Sequence, residues 1–261
     1  MSKEDTFVTI SKAVSMLKKS RNLFFITGAG ISAESGLPTY RGVGGLYNDE
    51  LTEEGIPIEV ALAGQTLTRQ PEITWKYLGR IEERCRGVTC NRAHKIIAEM
   101  EQHFARVWVL TQNIDGFHYE AGSHNVIDIH GDYRNLVCPA CGWRATVKDY
   151  STISIPPLCP TCGNIVRPDV VFFGEMLPQD KLQTLLRELE QGFDMYFSIG
   201  TTSVFPYISQ PMHMAKSQGS FTVEINPGNT EISGLVDLKI RSGAIEAMER
   251  IWKEYLQKNK A

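Results

Sequence analysis

The sequence has no apolar run that approaches the roughly eighteen residues of a membrane-spanning helix. Its first residues, Met1 to Thr6, are polar and lack the apolar core of a secretory signal peptide. An excess of positive charge is also absent, since 27 Lys and Arg stand against 30 Asp and Glu and the formal net charge is -3. A chain without a broad cationic field has no general means of holding nucleic-acid phosphates. We therefore expect a cytoplasmic protein with no membrane partner and no nucleic-acid partner.

Cysteine is scarce as well, and four of the six cysteines form two C-x-x-C pairs. In a reducing compartment this pattern favours a metal site over disulfide bonds. Four thiolates suit one closed, tetrahedral Zn²⁺ site that serves folding rather than catalysis. A redox dithiol pair or a nucleic-acid-binding ribbon are the alternatives, and we interpret Cys85 and Cys90 as ordinary small side chains. The predicted zinc ligands are Cys138, Cys141, Cys159 and Cys162.

Four short apolar runs, each typical of a buried parallel strand, end in small or polar residues. A doubly wound sheet binds its ligand at the carboxyl ends of its strands, where small and polar residues from several strands meet. With 261 residues and 42% hydrophobic composition, the chain can bury a large core. We predict an α/β fold with a Rossmann-like, doubly wound parallel sheet and a smaller inserted zinc-ribbon and helical module. The strand-end residues are Gly28 and Gly30, Gln112 and Asn113, Gly200, Thr201 and Ser203, and Asn226.

The first of these strand ends opens a glycine turn. Gly28, Gly30 and Ala33 match the G-x-G-x-x-G/A pattern, in which small residues allow a tight turn and close approach of a diphosphate. An ordinary strand-to-helix turn would satisfy the same pattern. No acidic strand end follows about twenty residues later, where a dinucleotide fold usually holds the ribose. A glycine-rich loop carrying Arg41 follows instead.

Two further segments are candidate sites of chemistry. Thr111-Gln112-Asn113-Ile114-Asp115 directly follows the apolar run Val107 to Leu110, although Asp115 is also a plausible helix N-cap. Apolar and polar residues alternate from Val126 to Gly131, which predicts a strand with His130 at its end. A lone histidine is usually structural, but its ordinary pKa of about 6.5 suits a general base.

These segments closely resemble the signature of the sirtuins, which are NAD-dependent protein-lysine deacylases. The resemblance is carried by Gly28-Ala29-Gly30-Ile31-Ser32-Ala33-Glu34-Ser35-Gly36 with Pro38-Thr39-Tyr40-Arg41, by Thr111 to Asp115, and by His130-Gly131. It extends from Ile26 to about Ile245 and is strongest to the bacterial and mitochondrial deacylase branch. It implies that the acyl oxygen attacks C1′ of NAD as nicotinamide leaves, and that His130 then takes a proton from a ribose hydroxyl. Free lysine and O-acyl-ADP-ribose would be the other products.

The resemblance also implies the residues around NAD. His130 and Asn113 are the implied catalytic residues, with Asn113 in the ribose and water network and Asp115 against the nicotinamide amide. The implied NAD contacts are Gly28, Ala29, Gly30, Ser32, Ala33, Thr39, Tyr40, Arg41, Gln112, Asn113, Ile114, Asp115, His130, Gly200, Thr201, Ser203, Asn226, Pro227 and Ala244.

For the protein substrate, the resemblance implies that the acyl-lysine peptide adds as a strand to Val171-Phe172-Phe173-Gly174-Glu175. Phe172 and Phe173 are the expected walls of the acyl-lysine tunnel, and one of them is expected to pack in the core. Tyr77 and Arg80 lie three residues apart, as in desuccinylating sirtuins, so they would hold a succinyl or malonyl carboxylate. One alternative is that Tyr77 packs in the core and Arg80 is a solvated helix charge. Another is that Arg84, rather than Arg80, binds the acyl carboxylate.

We predict an NAD-binding domain from residues 1–40, 90–136 and 168–261, a cofactor loop and helical insertion at 41–89, and a zinc-ribbon insertion at 137–167. Two other functions fit parts of the pattern. An NAD-dependent ADP-ribosyltransferase would keep the NAD pocket without the peptide segment. A non-catalytic zinc-ribbon module would need neither His130 nor the Thr111 to Asp115 segment.

Overall fold

The computed structural model describes residues 3–37 and 51–258. Its strands form a sheet of six parallel strands and a second sheet of three antiparallel strands. In chain order the strands are β1 (Asn22–Thr27), β2 (Arg106–Thr111), β3 (Val126–Asp128), β4 (Gly131–Val137), β5 (Arg144–Thr146), β6 (Arg167–Val170), β7 (Met195–Ile199), β8 (Phe221–Ile225) and β9 (Leu238–Ile240).

The helices of the described residues cover both faces of the large sheet and build part of the smaller module. They are α1 (Lys3–Leu17), α2 (Ala29–Ala33), α3 (Ile58–Ala61), α4 (Gly64–Arg69), α5 (Pro71–Cys85), α6 (Arg92–Met100), α7 (Phe117–Glu120), α8 (Gln179–Glu190), α9 (Pro206–Ser217) and α10 (Ala244–Lys258). Within the described part of the chain, no helix combines the length and the apolar character needed to cross a membrane.

The strand order of the large sheet is β3-β2-β1-β7-β8-β9. The chain therefore places β2 and then β3 on one side of β1. It later returns to place β7 on the other side of β1 and adds β8 and β9 beyond it. The order reverses between β1 and β7, and the connections there leave in opposite directions. A crevice forms at such a reversal, outside the carboxyl ends of the strands. The predicted doubly wound parallel sheet is confirmed.

Alternate residues of β1 enter two separate cores. Leu23 and Phe25 join a front core with α1, α6 and α10, and Phe25 stacks on Phe197 with ring centroids 4.8 Å apart. Phe24 and Ile26 join a back core with α8 and α9. Each fully buried apolar side chain contributes about 1.5–3 kcal/mol. Burial on both faces explains why β1 is apolar throughout rather than alternating.

A third hydrophobic cluster, the module core, joins the segment 56–78 to the three-stranded sheet β5-β4-β6. Trp75 of α5 is fully buried there, packs on Tyr150 at 5.3 Å, and donates its indole N–H to the carbonyl of Val166 at 2.9 Å. The two insertions predicted separately therefore share one core.

Two strand boundaries differ from the predicted ones. β3 ends at Asp128, so His130 lies in the turn that leads into β4, a strand that the sequence pattern did not predict. The apolar run after Ile165 is a strand only from Arg167 to Val170, whereas Phe173 forms an isolated bridge with Ala63. In both cases long-range pairing, which local periodicity does not encode, decides where the strand ends.

The four cysteines of the two C-x-x-C pairs converge at one end of the small sheet. Their Sγ atoms all lie within 4.8 Å of one another, with Cys138 to Cys162 at 3.5 Å and Cys141 to Cys159 at 3.6 Å. Each pair closes a similar turn, in which the residue after the second cysteine donates its N–H to the first cysteine's carbonyl at 2.9 Å. Zinc–thiolate bonds of about 2.3 Å place the four sulfurs of a tetrahedral site at about such separations. The donor set and its spacing therefore fit one Zn²⁺ ion.

Replacing Cys138 or Cys159 by Ala is expected to remove the metal and to lower the melting temperature by about 10 °C or more. A structural site contributes folding free energy directly, and each kcal/mol shifts the melting temperature by about 2–4 °C in a domain of this size. Elemental analysis and thermal unfolding measure the two effects. Cys85→Ala is the matched control and should keep the metal. A wild-type protein purified without chelators that carries no stoichiometric zinc would contradict the assignment.

Candidate active site

The carboxyl ends of β1 and β7 meet in direct backbone contact. Gly28 donates its N–H to the carbonyl of Ile199 at 3.2 Å, and Gly30 donates to the carbonyl of Gly200 at 2.8 Å. A Cβ atom on Gly30 would lie 2.6 Å from Cα of Gly200, and one on Gly200, whose φ is +61°, would lie 2.4 Å from the nitrogen of Ile31. Only glycine allows this approach. The glycine turn thus sits at the sheet's reversal point, as the ligand-binding interpretation requires.

Ser32, Asn113 and Asp115 form one hydrogen-bonded group beside this turn. Ser32 Oγ donates to Asp115 Oδ2 at 2.7 Å, while Asn113 Nδ2 lies 3.1 Å from both Ser32 Oγ and the carbonyl of Gly28. The second oxygen of Asp115 accepts the N–H of Phe117, the first residue of α7, at 3.0 Å. Burial raises the pKa of Asp115, and these donated bonds oppose that shift. Asp115 is therefore a member of the site that also binds the first turn of α7, and the alternative that it is the helix N-cap is wrong, because Gly116 holds that position.

The strand ends of β2, β7 and β8 are joined through Thr201. Its hydroxyl accepts from Gln112 Nε2 at 2.8 Å and from the N–H of Ser203 at 3.2 Å, and its carbonyl accepts from Asn226 Nδ2 at 3.2 Å. Ser203 has φ +57°, and its buried Oγ has no hydrogen-bond partner among the described residues. A residue other than glycine in the left-handed region is uncommon and is often found at functional sites.

His130 lies at the same edge with both ring nitrogens engaged. Nδ1 lies 2.8 Å from the carbonyl oxygen of Gln112, and Nε2 lies 2.8 Å from the hydroxyl of Tyr207. Because a carbonyl can only accept, Nδ1 carries the proton and Nε2 of the neutral ring is the acceptor. Burial lowers the pKa of His130, the bond to Gln112 opposes the shift, and the charge of Lys181 adds to it.

A cavity of about 320 Å³ opens onto His130. Val171, Glu175 and Met176 line it, so the segment predicted to hold the peptide borders the route to the histidine. Phe172 is buried, whereas Phe173 is 38% exposed. The backbone of Phe173 is already paired, because its N–H donates to Leu62 and its carbonyl accepts from Gly64, both at 3.1 Å.

Glu175 is held within this segment rather than pointing freely outward. Arg167 binds both of its carboxylate oxygens, at 2.6 and 2.7 Å, and the N–H of Phe172 donates to it at 3.0 Å. Charge-assisted bonds with this bidentate geometry are strong and directional. Glu175 therefore fixes the turn that follows Phe173.

Tyr77 and Arg80 lie on one face of α5, and each contacts a carboxylate. Tyr77 donates its hydroxyl to Glu54 Oε2 at 2.5 Å, and Arg80 Nη2 lies 2.7 Å from Glu53 Oε1. The Arg80 guanidinium also lies over the Tyr77 ring, 5.4 Å from its centroid. Tyr77 is buried in the module core, which also contains Phe172, and the Arg80 side chain is 49% exposed. Arg84 is exposed.

The remaining predicted NAD contacts lie outside the hydrogen-bonded group of Ser32, Asn113 and Asp115. Ala29 and Ala33 begin and end α2, Ile114 packs against the module core, Pro227 is exposed after Asn226, and Ala244 is buried at the start of α10. Thr39, Tyr40 and Arg41 lie outside the described residues.

Two buried histidines were not among the predicted residues. His118 contacts the hydroxyl of Thr27 at 2.9 Å, and its ring centre lies 5.0 Å from that of His94. Burial lowers the pKa of His94 to about 4 and holds the pKa of His118 well below its ordinary value. Both rings are therefore neutral, and Nε2 of His94 lies 3.5 Å from the hydroxyl of Ser32. Tyr207 was also missed, because a helix residue far along the chain carries no local signal of its contact with His130.

The donors and acceptors of this crevice fit a dinucleotide. The unpartnered Ser203 hydroxyl is a buried group that a ligand would satisfy. Amide, hydroxyl and carboxylate groups from four strand ends supply the polar contacts that such pockets use for orientation.

Comparison with known proteins shows which family the chain resembles. Residues 28–206 match the model of the Sir2 family. The chain is 45% identical over 250 residues to NAD-dependent protein deacylase 2 of Pseudomonas aeruginosa, with 95% of this chain and 97% of the relative covered.

Solved structures agree with the sequence comparison. The chain resembles a Sir2 homologue in complex with NAD, with a TM-score of 0.83, 36% identity, and 95% and 94% of the two chains covered. It also resembles a Sir2 protein bound to a p53 peptide and NAD+, with a TM-score of 0.80, 30% identity, and 94% and 98% covered. The expected sirtuin resemblance is confirmed, and the chain belongs to the Sir2 family.

Proposed function

We infer that this protein is an NAD-dependent protein-lysine deacylase. The observation that carries this function is the position of His130, which places an accepting imidazole nitrogen at the edge where the polar ends of β1, β2, β7 and β8 converge. The deacylases among its relatives and the NAD complex of a Sir2 homologue support the same conclusion.

NAD, when bound, supplies the sugar carbon that receives the acyl oxygen and loses nicotinamide. We propose that Gly28, Gly30, Thr201 and Ser203 would hold its phosphates and adenosine side. Asn113 and Asp115, already oriented by Ser32, would face its nicotinamide side. Ala29, Ala33, Gln112, Ile114, Gly200, Asn226, Pro227 and Ala244, with Thr39, Tyr40 and Arg41 of the following loop, complete the proposed contacts.

His130 is the proposed general base. Its Nδ1–H donates to the carbonyl of Gln112, which fixes the ring orientation and makes Nε2 the atom that takes up the proton released by a substrate hydroxyl. Because burial lowers its pKa, the imidazole is neutral at cellular pH and is ready to accept.

The acyl-lysine peptide is proposed to add as a strand beside Val171 to Glu175. The cavity that reaches His130 along Val171, the exposed Phe173 and a peptide complex of a Sir2 relative support this position. Since the Phe173 backbone already pairs with Leu62 and Gly64, the added strand would pair with other backbone groups of the segment.

Acyl preference is proposed to depend on Tyr77 and Arg80. In this structure the phenol and the guanidinium each bind a carboxylate, which is the group that ends a succinyl or malonyl chain. Glu53 and Glu54 occupy these positions now, so an acidic acyl group has to displace them. Acidic acyl groups should therefore bind at this position in competition with the protein's own side chains.

We also propose the predicted domain division, with the insertions at 41–89 and 137–167 forming one second domain on the NAD-binding domain. Their shared core and the Trp75–Val166 hydrogen bond support this grouping. A cytoplasmic setting is proposed because four free thiols suited to zinc persist best under reducing conditions.

The function is tested by incubation with NAD and a panel of acetyl- and succinyl-lysine peptides, with peptide mass and nicotinamide release as readouts. Loss of the acyl mass together with nicotinamide release is expected. Gain of an ADP-ribosyl mass on the peptide would instead indicate an ADP-ribosyltransferase.

Replacing His130 by Ala is expected to lower deacylation by about 10²–10⁴, which is the usual contribution of a general base. NAD binding, measured by calorimetry, should persist because the glycine turn and the Ser32 group do not depend on the imidazole. A folded His130→Ala protein that deacylates at the wild-type rate would exclude this role.

The pH profile should reflect the lowered pKa of His130. A base acts only when it is neutral, so activity falls as pH drops through its pKa. Because burial moves that pKa below its ordinary value of about 6.5, the acid limb of kcat/KM should be centred below pH 6.5. An acid limb centred above pH 7 would contradict the assignment.

Replacing Arg80 by Met is expected to slow desuccinylation by about tenfold to a hundredfold while sparing deacetylation, since a charge-assisted bond of about 1.5–3 kcal/mol is lost. Glu53→Gln should do the reverse and favour the succinyl peptide. Arg84→Met is the matched control and should leave both activities unchanged. Equal effects of Arg80→Met on the two peptides would contradict the proposed acyl preference and indicate a deacetylase without it.

A further inference from the structure

Tyr207 occupies the nitrogen that the proposed base must use. Its hydroxyl lies 2.8 Å from Nε2 of His130, and the two rings meet edge to face with centroids 5.9 Å apart. Since the other nitrogen donates to Gln112, the only arrangement that satisfies both bonds of a neutral ring has the phenol O–H donating to Nε2. A substrate hydroxyl therefore cannot reach that lone pair while the phenol holds it.

The position of Tyr207 is built by its surroundings. It is the second residue of α9, four residues after Ser203, and its ring stacks on Phe205 with centroids 5.6 Å apart and planes 16° apart. The helix, Pro206 at its start and the stacked ring of Phe205 together limit the directions in which the phenol can point. The hydroxyl is thus carried by the same β7 connection that is proposed to hold NAD.

We propose that Tyr207 relays the proton from the substrate hydroxyl to His130. This inference rests on the proposed function and adds a residue to it. The substrate O–H bond breaks as its proton moves to the Tyr207 oxygen, and the Tyr207 O–H bond breaks as its own proton moves to Nε2. The phenol is regenerated, the imidazole becomes a cation that still donates Nδ1–H to Gln112, and the substrate oxygen is left as the nucleophile. A hydroxyl can accept and donate at once, which this step requires.

The protonation state of Tyr207 is compatible with the relay. Burial raises the pKa of Tyr207 to about 12, so the phenol keeps its proton throughout the working range of pH. Once His130 is protonated, Nε2–H donates back to the phenol oxygen, and the contact survives in both states of the base.

The test is Tyr207→Phe, which removes one oxygen atom and preserves the stacked ring. Nicotinamide leaves before the base acts, so nicotinamide exchange should stay near the wild-type rate, as should KM for NAD. Deacylation should fall by about tenfold to a hundredfold. Tyr255→Phe, on a tyrosine that stacks on Trp252 in the front core, is the matched control and should change neither rate.

A double-mutant cycle with His130→Ala separates a relay from a structural role. If Tyr207 acts through His130, Tyr207→Phe costs nothing further once the imidazole is gone. Equal loss of exchange and deacylation in Tyr207→Phe, additive losses in the cycle, an unchanged deacylation rate or a faster one would each overturn the relay. A faster rate would show that the phenol masks the base. A wild-type protein that neither exchanges nicotinamide nor deacylates would instead overturn the proposed function itself.

Discussion

The contact between the backbones of Gly30 and Gly200 is the constraint on which the site depends. It closes the reversal point of the sheet, and it leaves no room for a side chain on either residue. Two polar groups of the crevice are positioned from these turns. Asn113 binds the carbonyl of Gly28 in the first turn, and Thr201 follows directly on Gly200 in the second. The parallel register of β1 and β7 sets this contact, so the buried apolar strands determine where the chemistry can occur.

The sequence predicted the parts of the site that local patterns encode. Apolar runs ending in Gly28, Gln112, Gly200 and Asn226 identified four strand ends, and parallel strands bring such ends to one edge. Asp115 shows that one carboxylate can contact two elements, because one of its oxygens accepts from the first residue of α7 while the other binds Ser32. Residue type and spacing suffice for contacts of this kind.

Contacts between distant segments were beyond the sequence. Tyr207 and His130 are 77 positions apart, and only the folded sheet brings α9 to the end of β3. The carboxylates that meet Tyr77 and Arg80 come from a segment more than twenty residues away, which the helical spacing of the pair does not reveal. The strand at Val126 ended two residues before His130 because pairing with β2 stops at Asp128. In each case a partner from elsewhere in the chain decided the geometry.

The indole of Trp75 has a consequence for exchanging parts between related proteins. Its N–H is buried and is satisfied by the carbonyl of Val166, which lies in the ribbon between the second cysteine pair and β6. A chimaera that received α5 without the ribbon would bury a donor with no acceptor, at a cost of about 1–3 kcal/mol. The helix that carries Tyr77 and Arg80 and the ribbon that carries the thiols should therefore be transplanted as a single unit.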